Sequence, residues 1–229
     1  MKPSRRVFSA GLLGAGLAAA GISPTARAQA AGPTEGVHYV RLAQPVPAGA
    51  GGKIEVVEFF WYECPHCNAL EPALEAWSRQ LPADVVFRRV PVWFREEPFG
   101  PQQRLFYALE SLGLVETLHR RVFTAIHVER ASLRSPQDIA AFALKNGVDP
   151  LKFMAAYGSF AVQAKAMQAR QLSAGYKIDA VPAMGVQGRY YTTRDLAIVG
   201  AVNNRDAAVD ARLLAVVDAL VARVRAGKG

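Results

Sequence analysis

Two cysteines, Cys64 and Cys67, are the residues whose type and spacing could do chemistry most directly. They stand three positions apart in the run Cys64-Pro65-His66-Cys67, and the 229 residues contain no other cysteine. Two thiols at this spacing lie on one face of a helix, close enough to form a disulfide. The pair therefore predicts thiol–disulfide exchange, in which a thiolate attacks a disulfide sulfur and forms a mixed disulfide.

Half of a zinc site and a purely structural disulfide are the alternative interpretations of this pair. A zinc site needs two further Cys or His ligands, whereas His38, His119 and His127 lack a paired spacing. A structural disulfide around so short a loop would add little stability. We therefore predict a redox-active dithiol that uses neither a metal nor a cofactor.

The residues around the pair predict how it is positioned. The β-branched and aromatic run over 54–62 indicates a buried strand, and the pattern over 65–81 indicates a helix with Pro65 in its first turn. Cys64 then lies among the free N–H groups at the positive end of the helix dipole, which favours its thiolate. His66 would add to this effect. We expect Cys64 to be the exposed nucleophile and Cys67 to resolve the mixed disulfide.

The rest of the chain predicts an α/β fold. A second strand is expected over 85–94, helices near 101–113, 115–128, 136–146 and 150–174, strands over 181–186 and 189–192, and a last helix over 205–225. A strand, a helical crossover and a second strand imply a parallel pair. The helical block is too long for one crossover and is expected to be an inserted subdomain over 99–176. Residues 29–53 form an irregular approach, and 54–98 with 177–229 form the α/β domain.

The first 28 residues predict a cleaved export signal. A basic start containing Arg5 and Arg6 precedes a short apolar Gly/Ala/Leu run and the small-x-small end Ala26-Arg27-Ala28. Cleavage is expected after Ala28 or Ala30, and either the general secretory or the twin-arginine route fits. Removal of 1–28 lowers the net charge from +8 to +4. Without a basic tract, this charge does not favour nucleic-acid binding.

Taken together, the strand, the Cys64-Pro65-His66-Cys67 run and the later pair Val181-Pro182 resemble the DsbA family of periplasmic thiol:disulfide interchange proteins. The most specific stretch runs from Val57 to Cys67, and the resemblance extends over the chain after the export signal. It implies a thioredoxin-like fold with an inserted helical subdomain. It also implies a periplasmic oxidoreductase that donates the Cys64–Cys67 disulfide to newly exported proteins.

The resemblance also implies roles for single residues. By position, His66 stabilises the Cys64 thiolate, Glu58 is the acid beneath the dithiol, and Pro182 is a cis-proline facing it. Val181, before that proline, would pair with an extended substrate peptide. Glu58 could instead be a strand-end charge in solvent.

Several charged residues are expected to have no part in the site. Glu71 matches an acidic position of the family, yet we expect it to be a helix-surface acid. Where the family often has a lysine on the second strand, Phe87 or Arg88 is expected. Solvated faces are predicted for two further runs, Arg88-Arg89 and His119-Arg120-Arg121.

The partners implied are reduced or unfolded exported proteins and a DsbB-like inner-membrane oxidase linked to quinone. No sequence feature indicates an obligate oligomer, so we expect a monomer. Alternative functions are a disulfide isomerase or reductase of the same fold, a binding or chaperone module, and a relative of kappa-class glutathione transferases. The short segment before the first clear strand disfavours an isomerase with a dimerisation domain, and the export signal disfavours the transferase.

Overall fold

The computed structural model describes residues 32–49, 51–94, 100–201 and 205–227. The predicted export signal over 1–28 and its cleavage region lie outside these ranges. The strands of the described ranges are β1 (Val40–Arg41), β2 (Ile54–Phe60), β3 (Val85–Pro91), β4 (Ala183–Val186) and β5 (Tyr190–Thr193). Their helices are α1 (Pro65–Ser78), α2 (Pro101–Ser111), α3 (Val115–His127), α4 (Pro136–Lys145), α5 (Pro150–Tyr157), α6 (Phe160–Gly175), α7 (Arg194–Ala197) and α8 (Asp206–Arg225).

The five strands form one mixed sheet in the order β1-β5-β4-β2-β3. Strands β2 and β3 are parallel, as the strand–helix–strand pattern predicts, and the other pairs are antiparallel. Strand β3 is at the edge of the sheet, where Pro91 can end it although proline has no N–H for a ladder bond. The parallel register places Arg89 beside Glu58.

Strand β2, between β4 and β3, is buried along its whole length because helices cover both faces of the sheet. Ile54 and Val56 pack on one face with side chains of α1 and α8, including Leu74 and Leu213. Val57 and Phe59 pack on the other face with side chains of the helical segment between β3 and β4. Burying each such side chain contributes about 1.5–3 kcal/mol, so the strand that precedes the dithiol is held firmly from both sides.

The structure differs from the predicted elements mainly at boundaries. The predicted helix over 150–174 is two helices, α5 and α6, because Ser159 caps the second with its Oγ accepting the Val162 N–H at 3.2 Å. The short elements β1 and α7 were not predicted. Strands β2 and β3 end at Phe60 and Pro91, earlier than predicted. The predicted α/β class is confirmed.

Candidate active site

The dithiol lies at the start of α1, just after the short loop that follows β2. Cys64 is the N-cap of α1, with an extended backbone at φ −79° and ψ 117°, and Pro65 occupies the first turn. The Cys64 N–H donates to the Trp61 carbonyl at 3.0 Å, which fixes the short loop between strand and helix. Proline suits this turn because its missing N–H would have no helical partner there. The predicted strand–dithiol–helix arrangement is confirmed.

Both cysteines are free thiols, and both are largely buried. The exposed fraction is 9% for Cys64 and 0% for Cys67. Cys64 is therefore less exposed than the sequence predicts, because the Val181-Pro182 segment lies against it and the Cys64 thiol donates to the Val181 carbonyl at 3.4 Å. It is still the more accessible sulfur of the two. The peptide bond before Pro182 is cis, as expected.

The two thiols have opposite acidities. A hydrogen bond from the Cys67 side chain, then backbone hydrogen bonds from Cys67 and His66, then the charge of His66, lower the Cys64 pKa from 9.0 to about 6, against the opposing effect of burial. Burial, followed by the hydrogen bond and charge of Cys64 and the charge of Glu58, raises the pKa of Cys67 well above its ordinary range. One sulfur is thus a thiolate near neutral pH while the other keeps its proton.

We predict that Cys67→Ala raises the Cys64 pKa more than His66→Ala does, because the Cys67 hydrogen bond lowers that pKa most. Thiolate absorbance at 240 nm should titrate with a midpoint near pH 6 in the wild type. Relative to the unfolded chain, the reduced protein gains stability that is full above pH about 9 and lost as pH falls through about 6. A larger shift in His66→Ala than in Cys67→Ala would contradict this order.

Glu58 lies on the buried face of β2 beneath the dithiol. Its side chain is completely buried, and neither carboxyl oxygen has a hydrogen-bond partner. Burial first, then the charge of Glu71, raises the pKa of Glu58 well above its ordinary value, and the charge of Cys64 adds to the rise. The alternative of a strand-end charge in solvent is wrong for Glu58. The arrangement places a buried carboxyl with a raised pKa within electrostatic reach of both cysteines.

Three charged or polar residues beside Glu58 were predicted to face solvent, and all three predictions were wrong. Glu71 and His119 are 2% and 4% exposed, and the Arg89 side chain is 13% exposed. Arg89 contacts Glu58 and Glu71, and His119 contacts Glu71. The basic residue beside the acid is therefore Arg89, rather than Phe87 or Arg88, because the parallel register pairs Arg89 with Glu58.

Helical periodicity in the sequence indicates in part that Glu71 and His119 are buried. On α1, Cys67, Leu70 and Leu74 are buried, and Glu71 shares their face at the i+4 position from Cys67. On α3, His119 precedes buried Val122 by three positions. Helical periodicity places both polar side chains on the apolar face, a position that favours a partnered buried group.

A cavity of about 310 Å³ borders the dithiol surface at His66 and the cis-proline. Val181 is half-buried beside it and Pro182 is buried. The side chains of Arg194, Asp195 and Asp206 also line it. Cys64 does not line this cavity, which lies beside the Val181-Pro182 segment that contacts the Cys64 sulfur.

Neither a metal site nor a membrane helix occurs in the part of the chain that the structure describes. No group of three or more His, Cys, Asp or Glu side chains there could hold a metal ion. No helix there combines the length and the apolar character needed to cross a bilayer.

A reduced dithiol at the start of a helix, a cis-proline segment against its nucleophilic sulfur and a parallel strand pair joined by that helix define a thioredoxin-like thiol:disulfide oxidoreductase. The model of the DSBA-like thioredoxin domain matches residues 55–208. The chain belongs to this family, and the predicted fold and resemblance are confirmed.

Relatives and solved structures agree with this assignment. The chain is 43% identical over 189 residues to the thiol:disulfide interchange protein DsbA of Burkholderia cepacia, covering 82% of this chain and 87% of that protein. It is 45% identical over 163 residues to the Pseudomonas aeruginosa DsbA, covering 71% and 77%. A crystal structure of Pseudomonas aeruginosa DsbA superposes with a TM-score of 0.75 at 39% identity, covering 85% of this chain and 96% of that one.

Proposed function

We propose that this protein is a periplasmic oxidase that donates its Cys64–Cys67 disulfide to newly exported, reduced proteins. The observation that carries the proposal is the contrast between the two sulfurs: a Cys64 pKa of about 6 and a raised Cys67 pKa. Stabilising the Cys64 thiolate stabilises the reduced protein, which makes its disulfide the stronger oxidant.

The exchange proceeds in two displacements. A client thiolate attacks Cys64 Sγ, so that a client–Cys64 bond forms, the Cys64–Cys67 bond breaks, and the electron pair goes to Cys67. Cys67 takes a proton from Glu58 and becomes a thiol. A second client thiolate then attacks the client sulfur of the mixed disulfide, which forms the client disulfide and releases Cys64 as a thiolate. The client loses two electrons, and the dithiol gains them.

The remaining site residues position the two cysteines or bind the client peptide. Pro65 starts α1, and the charge of His66 stabilises the Cys64 thiolate that is released in the second displacement. Val181 and Pro182 lie against Cys64, where the backbone of Val181 can pair with an extended client peptide. Only the protonated Cys64 thiol can donate to the Val181 carbonyl, so this hydrogen bond is lost when Cys64 ionises or when its sulfur is bonded to Cys67 or to a client.

The cellular setting of the proposal follows from the first 28 residues. We propose that this segment is an export signal removed near Ala28 or Ala30, which places the protein in an oxidising compartment. Reoxidation then falls to a DsbB-like, quinone-linked protein of the inner membrane, and the protein acts as a monomer. We further propose that residues 99–176 are an inserted helical subdomain. Along the chain, helices α2–α6 connect β3 to β4, and these two strands lie on opposite sides of β2 in the sheet.

Equilibration with glutathione buffers tests the direction of electron flow. The reduced fraction is read from the mass added by a thiol-blocking reagent, with the double variant Cys64→Ala and Cys67→Ala, which has no thiol, as the control for nonspecific labelling. We expect the Cys64–Cys67 disulfide to oxidise glutathione readily, so that the reduced dithiol predominates in strongly oxidising buffers. A disulfide that persists in those buffers would instead indicate a reductase.

A further inference from the structure

Two buried carboxyl groups share one guanidinium beneath the dithiol. Arg89 Nε lies 3.3 Å from Glu58 Oε2, and Arg89 Nη2 lies 3.0 Å from Glu71 Oε2. Two ionised carboxylates against one cation would leave an uncompensated buried charge, which is strongly unfavourable. One of the two carboxyls therefore holds a proton near neutral pH.

The hydrogen bonds of the two carboxyls are unequal. Glu71 accepts from Arg89 through both Nε and Nη2, at 3.3 and 3.0 Å, and lies 3.0 Å from His119 Nε2. Glu58 has the single Arg89 ion contact and no hydrogen bond to either oxygen. Donors stabilise the ionised form, so the proton resides on Glu58. The pKa directions agree. Burial is the largest single effect on Glu71 and raises its pKa, but the hydrogen bonds and charges of His119 and Arg89 together outweigh it, so that the pKa is lowered. Burial and the charge of Glu71 raise the pKa of Glu58.

The protonation of His119 follows from its two neighbours. The Tyr62 hydroxyl lies 2.8 Å from Nδ1, and Glu71 Oε1 lies 3.0 Å from Nε2. A neutral imidazole that accepts from Tyr62 and donates from Nε2–H satisfies both contacts. Burial lowers the pKa of His119, which also favours the neutral ring.

We propose that His119 is a positioning residue of the exchange reaction: by donating to Glu71, it leaves the one proton of the carboxyl pair on Glu58, the acid that interacts with the dithiol. The inference rests on the proposed function, since that proton is the one delivered to Cys67 when the client attacks Cys64. The same proton returns to Glu58 when the dithiol is reoxidised.

A cleft of about 670 Å³ connects this cluster to solvent. Glu71, Arg89 and His119 all line it, and neither cysteine does. Glu58 does not line the cleft, so the cleft gives solvent access to the Glu71 side of the carboxyl pair, away from the dithiol surface. Charged or titratable groups of three segments surround the cluster. Tyr62 lies before α1, Cys64 and Cys67 lie at its start, and Glu71 lies within it. Arg89 belongs to β3 and Glu116 to α3, the helix that carries His119.

The test compares His119→Phe and His119→Gln in the full chain. Phenylalanine keeps the edge contacts of His119 with Phe60, Phe106 and Phe123 but donates no hydrogen bond. Glutamine offers an amide N–H near the position of Nε2. The rate at which the disulfide form oxidises a reduced dithiol peptide is measured in a single turnover against pH. A hydrogen bond to a charged group is worth roughly one to two pH units. Without this donor Glu71 binds a proton more tightly and takes a share of the proton from Glu58. In His119→Phe the plateau of the rate should therefore fall by up to about tenfold, and the alkaline fall, where the pair loses its last proton, should move up; both should return in His119→Gln.

Tyr176→Phe is the matched control, because it removes a different buried hydrogen-bonding group, the Tyr176 hydroxyl that accepts the Gly188 N–H at 2.8 Å. It should lower stability and leave the pH profile unmoved. Unshifted profiles in both His119 variants, or equal shifts in both, would overturn the inference. If wild type fails to oxidise the peptide, the proposed function falls instead.

Infrared spectroscopy gives an answer even if His119→Phe does not fold. In the disulfide form of the wild type, the carbonyl band of the protonated carboxyl should lie at the high frequency of a group without hydrogen bonds, since neither oxygen of Glu58 has a partner whereas Glu71 is hydrogen-bonded to Arg89 and His119. A band at the lower frequency of a hydrogen-bonded carboxyl, or no such band, would overturn the assignment of the proton.

Discussion

Replacing Cys64 by serine should abolish oxidation of a reduced client, down to the uncatalysed background. A serine hydroxyl cannot hold a disulfide, and the sulfur with a pKa of about 6 is lost with it. Cys67→Ser should behave differently, because Cys64 remains at the start of α1 and can still join a client sulfur. The measurement is client oxidation over time, with covalent complexes detected by non-reducing electrophoresis.

The pair of serine variants separates the roles of the two sulfurs. Cys67→Ser should form a mixed disulfide with an oxidised or activated client and retain it, since the buried resolving thiol is missing. Client adducts on Cys64→Ser instead would assign the nucleophile to Cys67. Client oxidation at the wild-type rate by Cys64→Ser would show that the dithiol does not oxidise the client, and the alternative of a binding module would then stand.

Arg89→Met should lower the free energy of unfolding by about 3–5 kcal/mol, as removing one partner of a buried ion pair does. Arg89 is the cation beside two buried acids, and Glu71 is left ionised without it. The effect should shrink in acid. In the wild type the lowered pKa of Glu71 gives stability that is present above pH about 4.5 and lost as pH falls below it. Urea denaturation at neutral and acid pH measures both effects.

Arg79→Met is the control for Arg89→Met. Arg79 also pairs with a glutamate of α1, Glu75, but its side chain is 70% exposed. Exposed pairs contribute about 0–1 kcal/mol, so the variant should unfold close to wild type. Equal losses in the two variants would show that the Arg89 cluster adds nothing beyond surface charge.

The sequence predicts the parts of the site that depend on local structure. The apolar run before Cys64 and Pro65 after it determine a strand that ends and a helix that begins at the nucleophile. The acidity of Cys64 is predicted in direction from the same N-terminal position. Its largest cause, the Cys67 hydrogen bond, depends on how the two sulfurs are oriented, which spacing alone does not give.

Contacts between distant segments are less predictable. Val181 lies against Cys64 from far along the chain, and here only the family resemblance predicted it. Arg89 and His119 reach the site through the register of β3 and the packing of α3 on α1. Each stands in a run of charged residues that is typical of a solvated face, so the sequence predicted that both side chains would be exposed. Both are buried because they pair with the buried acids Glu58 and Glu71.

The redox potential of the Cys64–Cys67 couple tests the central claim most directly. It is obtained from the equilibrium constant with glutathione at pH 7, where a tenfold change corresponds to about 30 mV. An oxidase with this thiolate stabilisation should lie well above about −200 mV. A value near about −270 mV, typical of a reducing thioredoxin, would contradict the account.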